Sequence, residues 1–153
     1  MHAFQHIDHR RQSLALAIPA EKKAELGQYM TPSVVADFMA GLFSSLQGRD
    51  IRLMDAGAGI GSLTVAFVAR AEREGANALR CLAWEIDPVM RSHLQETLAA
   101  CAEVCEGSLQ AFFAQMRSDD FVLAGPDGIR YGETAKFTHA ILNPPYKKLR
   151  TDS

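Results

Sequence analysis

The chain lacks the features that direct a protein into a membrane or out of the cell. None of its apolar runs approaches the ~18 residues that a membrane-spanning helix needs. The polar start, MHAFQHIDHRRQ, has no apolar core of a signal peptide. Its cysteines number only three, Cys81, Cys101 and Cys105, which is an odd number and too few for a disulfide framework. We therefore expect reduced thiols, a cytoplasmic protein and no membrane partner.

A strong charge excess and a clear metal-ligand cluster are also missing. The net charge is −2, so no overall positive field marks a nucleic-acid-binding protein, although a local basic face is possible and the tail at 147–150 is one candidate. His2, His6 and His9 could be read as a metal site, but the polar surroundings favour a solvated terminus. We predict no metal.

The apolar patterns predict a single α/β domain. With 153 residues, of which 48% are hydrophobic, the chain has material for one core. Apolar runs predict strands at 51–55, 79–85, 104–108 and 137–142, and helical periodicity predicts intervening helices at 62–74, 87–102 and 109–116. This alternation predicts a parallel sheet with crossover helices on both faces and strands buried on both sides.

A further helix is predicted ahead of the first strand. Thr31 is its expected N-cap, Pro32 its first residue and Gly48 its end. Helical spacing predicts an inward apolar face made of Val34, Val35, Phe38, Met39, Leu42, Phe43 and Leu46. We divide the chain into an N-terminal helical or flexible segment at 1–26 and a domain at 27–153.

Three glycines lie where the first strand turns into a helix. Gly57, Gly59 and Gly61 would let backbone amides approach a ligand closely, next to the positive end of the helix dipole. Their spacing is G-x-G-x-G, which differs from the dinucleotide pattern G-x-G-x-x-G. The turn alone is a weak signal, and its context decides the interpretation.

Carboxylates close the first two strands. Glu85, at the end of the second strand, is placed to accept hydrogen bonds from both ribose hydroxyls of a nucleoside, and an adenine ring could lie on Ile86. NAD, a nucleotide and S-adenosylmethionine all contain such a group. Asp55, before the first glycine, would repel a pyrophosphate but suits a sulfonium or an α-amino group. This charge argument favours S-adenosylmethionine.

The fourth strand leads into NPPY, at 143–146. We expect this strand beside the first one, which brings NPPY next to the glycine turn. The side-chain carbonyl of Asn143 and the backbone carbonyl of Pro144 could each accept an N–H bond from an aromatic exocyclic amine, which frees the nitrogen lone pair for a methyl group. Pro145 stiffens the loop, Tyr146 can stack on a flat substrate, and a base in duplex DNA must first be flipped out.

Four elements occur in an order that is characteristic of one protein family: GQYMTP at 27–32, DAGAGIG at 55–61, a strand ending at Glu85, and NPPY at 143–146. The chain resembles the gamma-class, adenine-specific (N6) DNA methyltransferases of restriction–modification systems over residues 27–146. The resemblance implies a Rossmann-like, S-adenosylmethionine-dependent methyltransferase fold. It also implies methyl transfer to the N6 amine of a flipped adenine in double-stranded DNA.

The resemblance assigns roles to individual residues. It places Tyr29, Thr31 and Pro32 against the methionine end of the cofactor, Glu85 on the ribose and Ile86 on the adenine. Ser108 takes the place where the family often has an aspartate after the third strand. The catalytic set is Asn143, Pro144, Pro145 and Tyr146. The full cofactor-binding set is Gln28, Tyr29, Met30, Thr31, Pro32, Asp55, Ala56, Gly57, Gly59, Gly61, Glu85, Ile86, Ser108 and Asn143.

The sequence departs from the family after NPPY. The remaining strands and the target-recognition domain would follow there, so we expect a fragment truncated after the fourth strand, with the catalytic strand at the sheet edge. Two alternatives stay open. One is a protein-glutamine or RNA-guanine methyltransferase with the same tetrapeptide, against which GQYMTP argues. The other is a catalytically inactive remnant that binds S-adenosylmethionine.

Overall fold

The computed structural model describes residues 30–123 and 137–144. The elements in these ranges are α1 (Ser33–Gly41), β1 (Asp50–Ala56), α2 (Ser62–Arg73), β2 (Ala78–Trp84), α3 (Pro88–Cys105), β3 (Ala111–Arg117) and β4 (His139–Ile141). The predicted segment 1–26 and the site residues Gln28, Tyr29, Pro145 and Tyr146 lie outside the described residues. Among the helices in the described ranges, none has both the length and the apolar character needed to cross a membrane.

The four described strands form one parallel sheet in the order β3-β2-β1-β4. The pairing of Asp55 with Ala83 on one side and with Ile141 on the other fixes the register around β1. The predicted α/β class is therefore confirmed, and so is the predicted place of the fourth strand beside the first. Since all strands run the same way, the glycine turn and the Asn143 loop emerge at the same edge of the sheet.

The core lies on one face of the sheet. Ile51, Leu53, Leu79 and Cys81 alternate with exposed or half-buried residues along β1 and β2, and their buried side chains pack with the buried faces of α1, α2 and α3. On the opposite face, Arg52, Arg80 and Phe113 are exposed, whereas Ala56 and Trp84 at the carboxyl ends of β1 and β2 are buried. The predicted burial on both sides therefore holds at the carboxyl ends of β1 and β2 and not around Arg52 and Arg80. Toward their amino ends, the two strands alternate in burial, as in a sheet with one covered face.

The third strand does not lie where the sequence predicts it. Residues 104–108 end α3 and form a turn, in which Gly107 adopts a φ of 79°, and the predicted helix at 109–116 is the strand β3. The helix extends to Cys105 because Cys101 and Cys105 continue its buried stripe. The segment 111–117 becomes a strand because it pairs with β2 along all seven residues, a contact that helical propensity does not capture.

Helix α1 is shorter and oriented differently than predicted. It ends at Gly41, where Arg70 of α2 donates to the carbonyls of Ala40 and Phe43, the latter at 2.9 Å. It packs through Ala36 and Ala40, which are buried. Of the predicted inward face, Met39, Phe43 and Leu46 do contact the core. The other members, Val34, Val35, Phe38 and Leu42, are exposed. The small side chains face α2 because they permit a close approach of the two helices, which the arginine then holds.

Candidate functional site

The glycine turn between β1 and α2 has the backbone geometry that only glycine adopts easily. Gly57, Gly59 and Gly61 have φ values of 79°, 58° and 88°, all in the left-handed region. A Cβ on Gly61 would lie 2.9 Å from Cγ2 of Thr97 on α3. The turn therefore needs glycine for its dihedral angles, and at Gly61 also for its contact with α3.

Backbone hydrogen bonds tie this turn to the end of β2. The N–H groups of Gly57 and Ala58 donate to the carbonyl of Trp84 at 3.0 and 2.8 Å. Gly59 N–H donates to Oε2 of Glu85 at 2.7 Å. The first amides of the turn are therefore already satisfied by the chain itself, and a ligand would have to use donors further along, at the start of α2.

Glu85 directly follows β2 and joins the turn to α3. Its Oε1 accepts from the N–H of Asp87 at 2.8 Å, and Asp87 in turn caps α3 by accepting from Val89 and Met90. The carboxylate thus lies beside the glycine turn, as the sequence predicts. Next to it, Ile86 is 60% exposed, which leaves an apolar side chain available to a ring.

Asp55 lies in the interior and not at the surface of the site. Its side chain is 0% exposed, and its Oδ2 accepts from the hydroxyl of Thr64 at 2.6 Å. Burial raises its pKa to about 7 although hydrogen bonds from Thr64 lower it. Asp55 therefore does not repel a pyrophosphate in the way predicted from the sequence, because its carboxyl is shielded and largely protonated below neutral pH.

The side chain of Asn143 contacts Thr31, which precedes helix α1. Its Nδ2 donates to Oγ1 of Thr31 at 3.1 Å, across 112 positions of the chain. Thr31 is buried, and its side chain does not cap α1, whose N-cap position is occupied by Pro32. The predicted N-cap role of Thr31 is therefore wrong, and its hydroxyl instead orients the Asn143 amide.

A single pocket brings the separate motifs together. It opens to solvent and is lined by Met30 and Thr31, by the glycine turn, by the start of α2 and by Asn143. Its enclosed space is about 10 Å³, and the empty space counted up to its open mouth is about 270 Å³. Its lining residues are Met30, Thr31, Gly57, Ala58, Gly59, Ile60, Ser62, Leu63 and Asn143. Five predicted site residues are in this set: Met30, Thr31, Gly57, Gly59 and Asn143.

Ser108 lies away from this pocket. It is exposed and precedes β3, at the sheet edge opposite to the glycine turn. The prediction placed it after the third strand, so the displaced strand removes the reason for that assignment. The acidic residues that follow β3 are Asp119 and Asp120, shortly after the strand ends at Arg117. Asp119 binds Arg117 at 3.0 Å, which helps to hold its pKa below the usual range.

Two further residues were missed by sequence reasoning. Thr64 binds Asp55, and the Ser62 hydroxyl is buried beside the pocket with no hydrogen-bond partner within the described ranges. Both lie in the first turn of α2, directly after Gly61. Their position at the helix start was visible in the sequence, but neither residue type signals a ligand by itself.

The described strands and helices form a Rossmann-like α/β domain. A solved structure, the methyltransferase subunit of a type I restriction–modification system from Streptococcus thermophilus, superposes with a TM-score of 0.54 at 17% identity. The match covers 78% of this chain and 24% of that chain. At this identity the likeness shows the fold alone.

Sequence comparison identifies two related proteins. The chain is 40% identical over 139 residues to the type II methyltransferase M.BsuBI of Bacillus subtilis, and 33% identical over 144 residues to M.PstI of Providencia stuartii. These matches cover 87% and 94% of the chain but only 27% and 28% of the relatives, so the chain spans about a quarter of their length. No protein-family model matches. The likenesses relate the chain to the methyltransferases of restriction–modification systems.

Proposed function

We propose that the chain is the cofactor-binding and catalytic part of an adenine-specific DNA methyltransferase of a restriction–modification system. The observation that carries the proposal is the pocket in which Thr31, the glycine turn and Asn143 meet, with the Thr31–Asn143 hydrogen bond linking its two sides. The relatives named type II methyltransferases support the same conclusion.

The residues around the pocket fit S-adenosylmethionine. Each carboxylate oxygen of Glu85 accepts a hydrogen bond from one backbone N–H group. Each retains a second lone pair that can accept a hydrogen bond from a ribose hydroxyl. The exposed side chain of Ile86 offers an apolar surface to the adenine. No lysine or arginine is among the lining residues of this described pocket, which favours a ligand without a phosphate. When bound, the cofactor supplies an electrophilic methyl group.

Asn143 is the residue that would hold the target amine. Because its Nδ2 is directed to Thr31, its Oδ1 is left to accept an N–H bond, and the backbone carbonyl of Pro144 provides a second acceptor. Two such bonds orient the amine and expose its lone pair without a strong general base. Tyr146 would stack on the flipped base, and Pro145 would stiffen the loop that carries it.

Isotope transfer tests the function. In a longer protein that contains this sequence, labelled S-adenosylmethionine and duplex DNA should yield N6-methyldeoxyadenosine after nucleoside digestion. Asn143→Ala should lower the rate at least about 100-fold, because an oriented acceptor is lost. Label in N4-methyldeoxycytidine, in RNA or in protein would contradict the adenine assignment. For the chain alone we expect cofactor binding with weak or no transfer, because it spans about a quarter of its relatives.

A further inference from the structure

Four side chains in the described part of the chain bury a polar atom that has no hydrogen-bond partner. These atoms are Oδ1 of Asp55, Oγ of Ser62, Nε1 of Trp84 and Nδ1 of His93. Ser62 is the one of the four that lines the pocket, and it is only 5% exposed. An unpartnered buried hydroxyl costs free energy, so a ligand that completes its hydrogen bonding would be favoured at this place.

The backbone around Ser62 offers further donors. Ser62 and Leu63 are the first two residues of α2, a helix of 12 residues whose N-cap, Gly61, has no side chain to bond them. Within the described ranges, the N–H groups of these two residues make no backbone hydrogen bond, as is usual for a first turn. The amides of Gly57, Ala58 and Gly59, in contrast, are taken by Trp84 and Glu85. The start of α2 is therefore the part of the glycine turn with donors to spare.

The chemistry of these donors points to a singly charged anion. A hydroxyl, two N–H groups and the positive end of a helix dipole all favour negative charge. The lining residues in the described pocket include no basic side chain. In addition, the Glu85 carboxylate accepts a hydrogen bond from the N–H of Gly59, which lines the pocket. A doubly charged phosphate would be poorly compensated there. A carboxylate, with one charge and two oxygens, matches the donors better.

We propose that the Ser62 hydroxyl and the N–H groups of Ser62 and Leu63 bind the α-carboxylate of the methionine part of the cofactor. The assignment rests on the proposed function, since it presumes S-adenosylmethionine in this pocket. It makes Ser62 a residue that recognises the amino-acid end of the ligand, while Glu85 recognises the nucleoside end.

The test compares two ligands by isothermal titration calorimetry of the chain. One ligand is S-adenosylmethionine, and the other is its decarboxylated form, which keeps the sulfonium and nucleoside but lacks the carboxylate. Ser62→Ala should weaken S-adenosylmethionine binding about 10-fold and change binding of the decarboxylated ligand less than about 2-fold, since a hydrogen bond to a charged group is removed. Ser92→Ala, which removes an exposed serine hydroxyl from α3, is the matched control and should change neither value.

The outcomes separate the two proposals. If the wild-type chain binds neither ligand, the cofactor assignment is wrong and this inference falls with it. If the wild-type chain binds S-adenosylmethionine and Ser62→Ala binds it equally well, the carboxylate site is wrong but the cofactor stands. Equal losses for both ligands would also overturn the inference, because the effect would not act through the carboxylate. Displacement of the cofactor by inorganic phosphate at low millimolar concentration would indicate a phosphate site and contradict it as well.

Thermal unfolding of the same variant gives an independent measurement. Because the Ser62 hydroxyl is buried without a partner, Ser62→Ala should leave the free chain as stable as the wild type or more stable. A variant that is no less stable but binds the cofactor more weakly is expected for a ligand contact. A lowered melting temperature in the absence of ligand would mean that the hydroxyl serves the fold, and would overturn the assignment.

Discussion

The carboxylates at the ends of β1 and β2 look alike in the sequence but lie in different environments. Asp55 faces the helices, fully buried against Thr64, and its pKa is raised to about 7 by burial. Glu85 lies just past the last paired residue of β2, half-buried, and binds the backbone of the glycine turn. Ile51, Leu53 and Asp55 are two positions apart along β1, so their side chains point to the same, buried face of the sheet. Glu85 lies one residue beyond the end of β2, so the sheet does not hold its side chain on that face.

The different environments of Asp55 and Glu85 suit them to different tasks. Asp55 supports the floor of the site from inside the core, and we expect its effect on ligand binding to be indirect. Glu85 is on the side of the turn where a nucleoside would lie, and we expect it to contact the ligand. Variants of the two acids should therefore differ in whether they change the stability of the fold or the binding of the ligand.

The largest expected effect is the pH dependence that Asp55 gives to stability. Its folded pKa is about 7 and the ordinary value is 3.8, so between these pH values the unfolded chain releases a proton that the folded chain keeps. Raising the pH through this window therefore destabilises the fold, by up to about 1.4 kcal/mol per pH unit, and the loss is complete above pH 7. Urea unfolding at pH 5 to 8 measures this slope.

Asp55→Asn is the control for that slope. The variant cannot ionise, so the difference in unfolding free energy between it and the wild type isolates Asp55. Burial lowers the pKa of His139, which acts in the opposite direction at low pH, but this contribution is present in both proteins and cancels. Parallel pH profiles of the two proteins would show that Asp55 is not the buried acid described here.

The next effect in size is on cofactor binding. Glu85→Ala should weaken S-adenosylmethionine binding by about 10- to 100-fold, since up to two charge-assisted hydrogen bonds to the ribose are lost. Asp55→Asn should change the same dissociation constant less than about 3-fold. Calorimetric titration of both variants measures the contrast. If Asp55→Asn proves the more harmful of the two, the division of tasks between the acids is wrong.

The smallest effect concerns the partner of Asp55. Thr64→Val keeps the shape of the side chain but removes the hydroxyl that binds Oδ2, and should destabilise the fold by about 1–2 kcal/mol at pH 8. Thr97→Val is a matched control, because the Thr97 hydroxyl donates to a neutral acceptor, the carbonyl of Ile60, at 2.8 Å. Denaturant unfolding should show a larger loss for Thr64→Val. Equal losses would indicate that the Asp55 carboxyl has no special need of its partner.

Much of the site could be predicted because its signals are local. Positive φ angles at Gly57, Gly59 and Gly61 follow from residue type, and the Asp87–Pro88 start of α3 follows from capping chemistry. The position of Glu85 beside the turn follows from the parallel sheet. The third strand could not be predicted, since AFFAQMR becomes a strand by pairing with β2, and this error displaced the assignment to Ser108.

The order of the motifs, the glycine turn and the parallel α/β class can be read from the sequence, because they depend on backbone conformation and on short-range periodicity. Which acid is buried, which residues of α1 are exposed and where Ser62 lies depend on how the elements pack. This packing also brings Thr31 and Asn143 together across 112 positions. The physical reason is that burial and hydrogen-bond partners are set by sheet register and helix packing, which act between segments far apart in the chain.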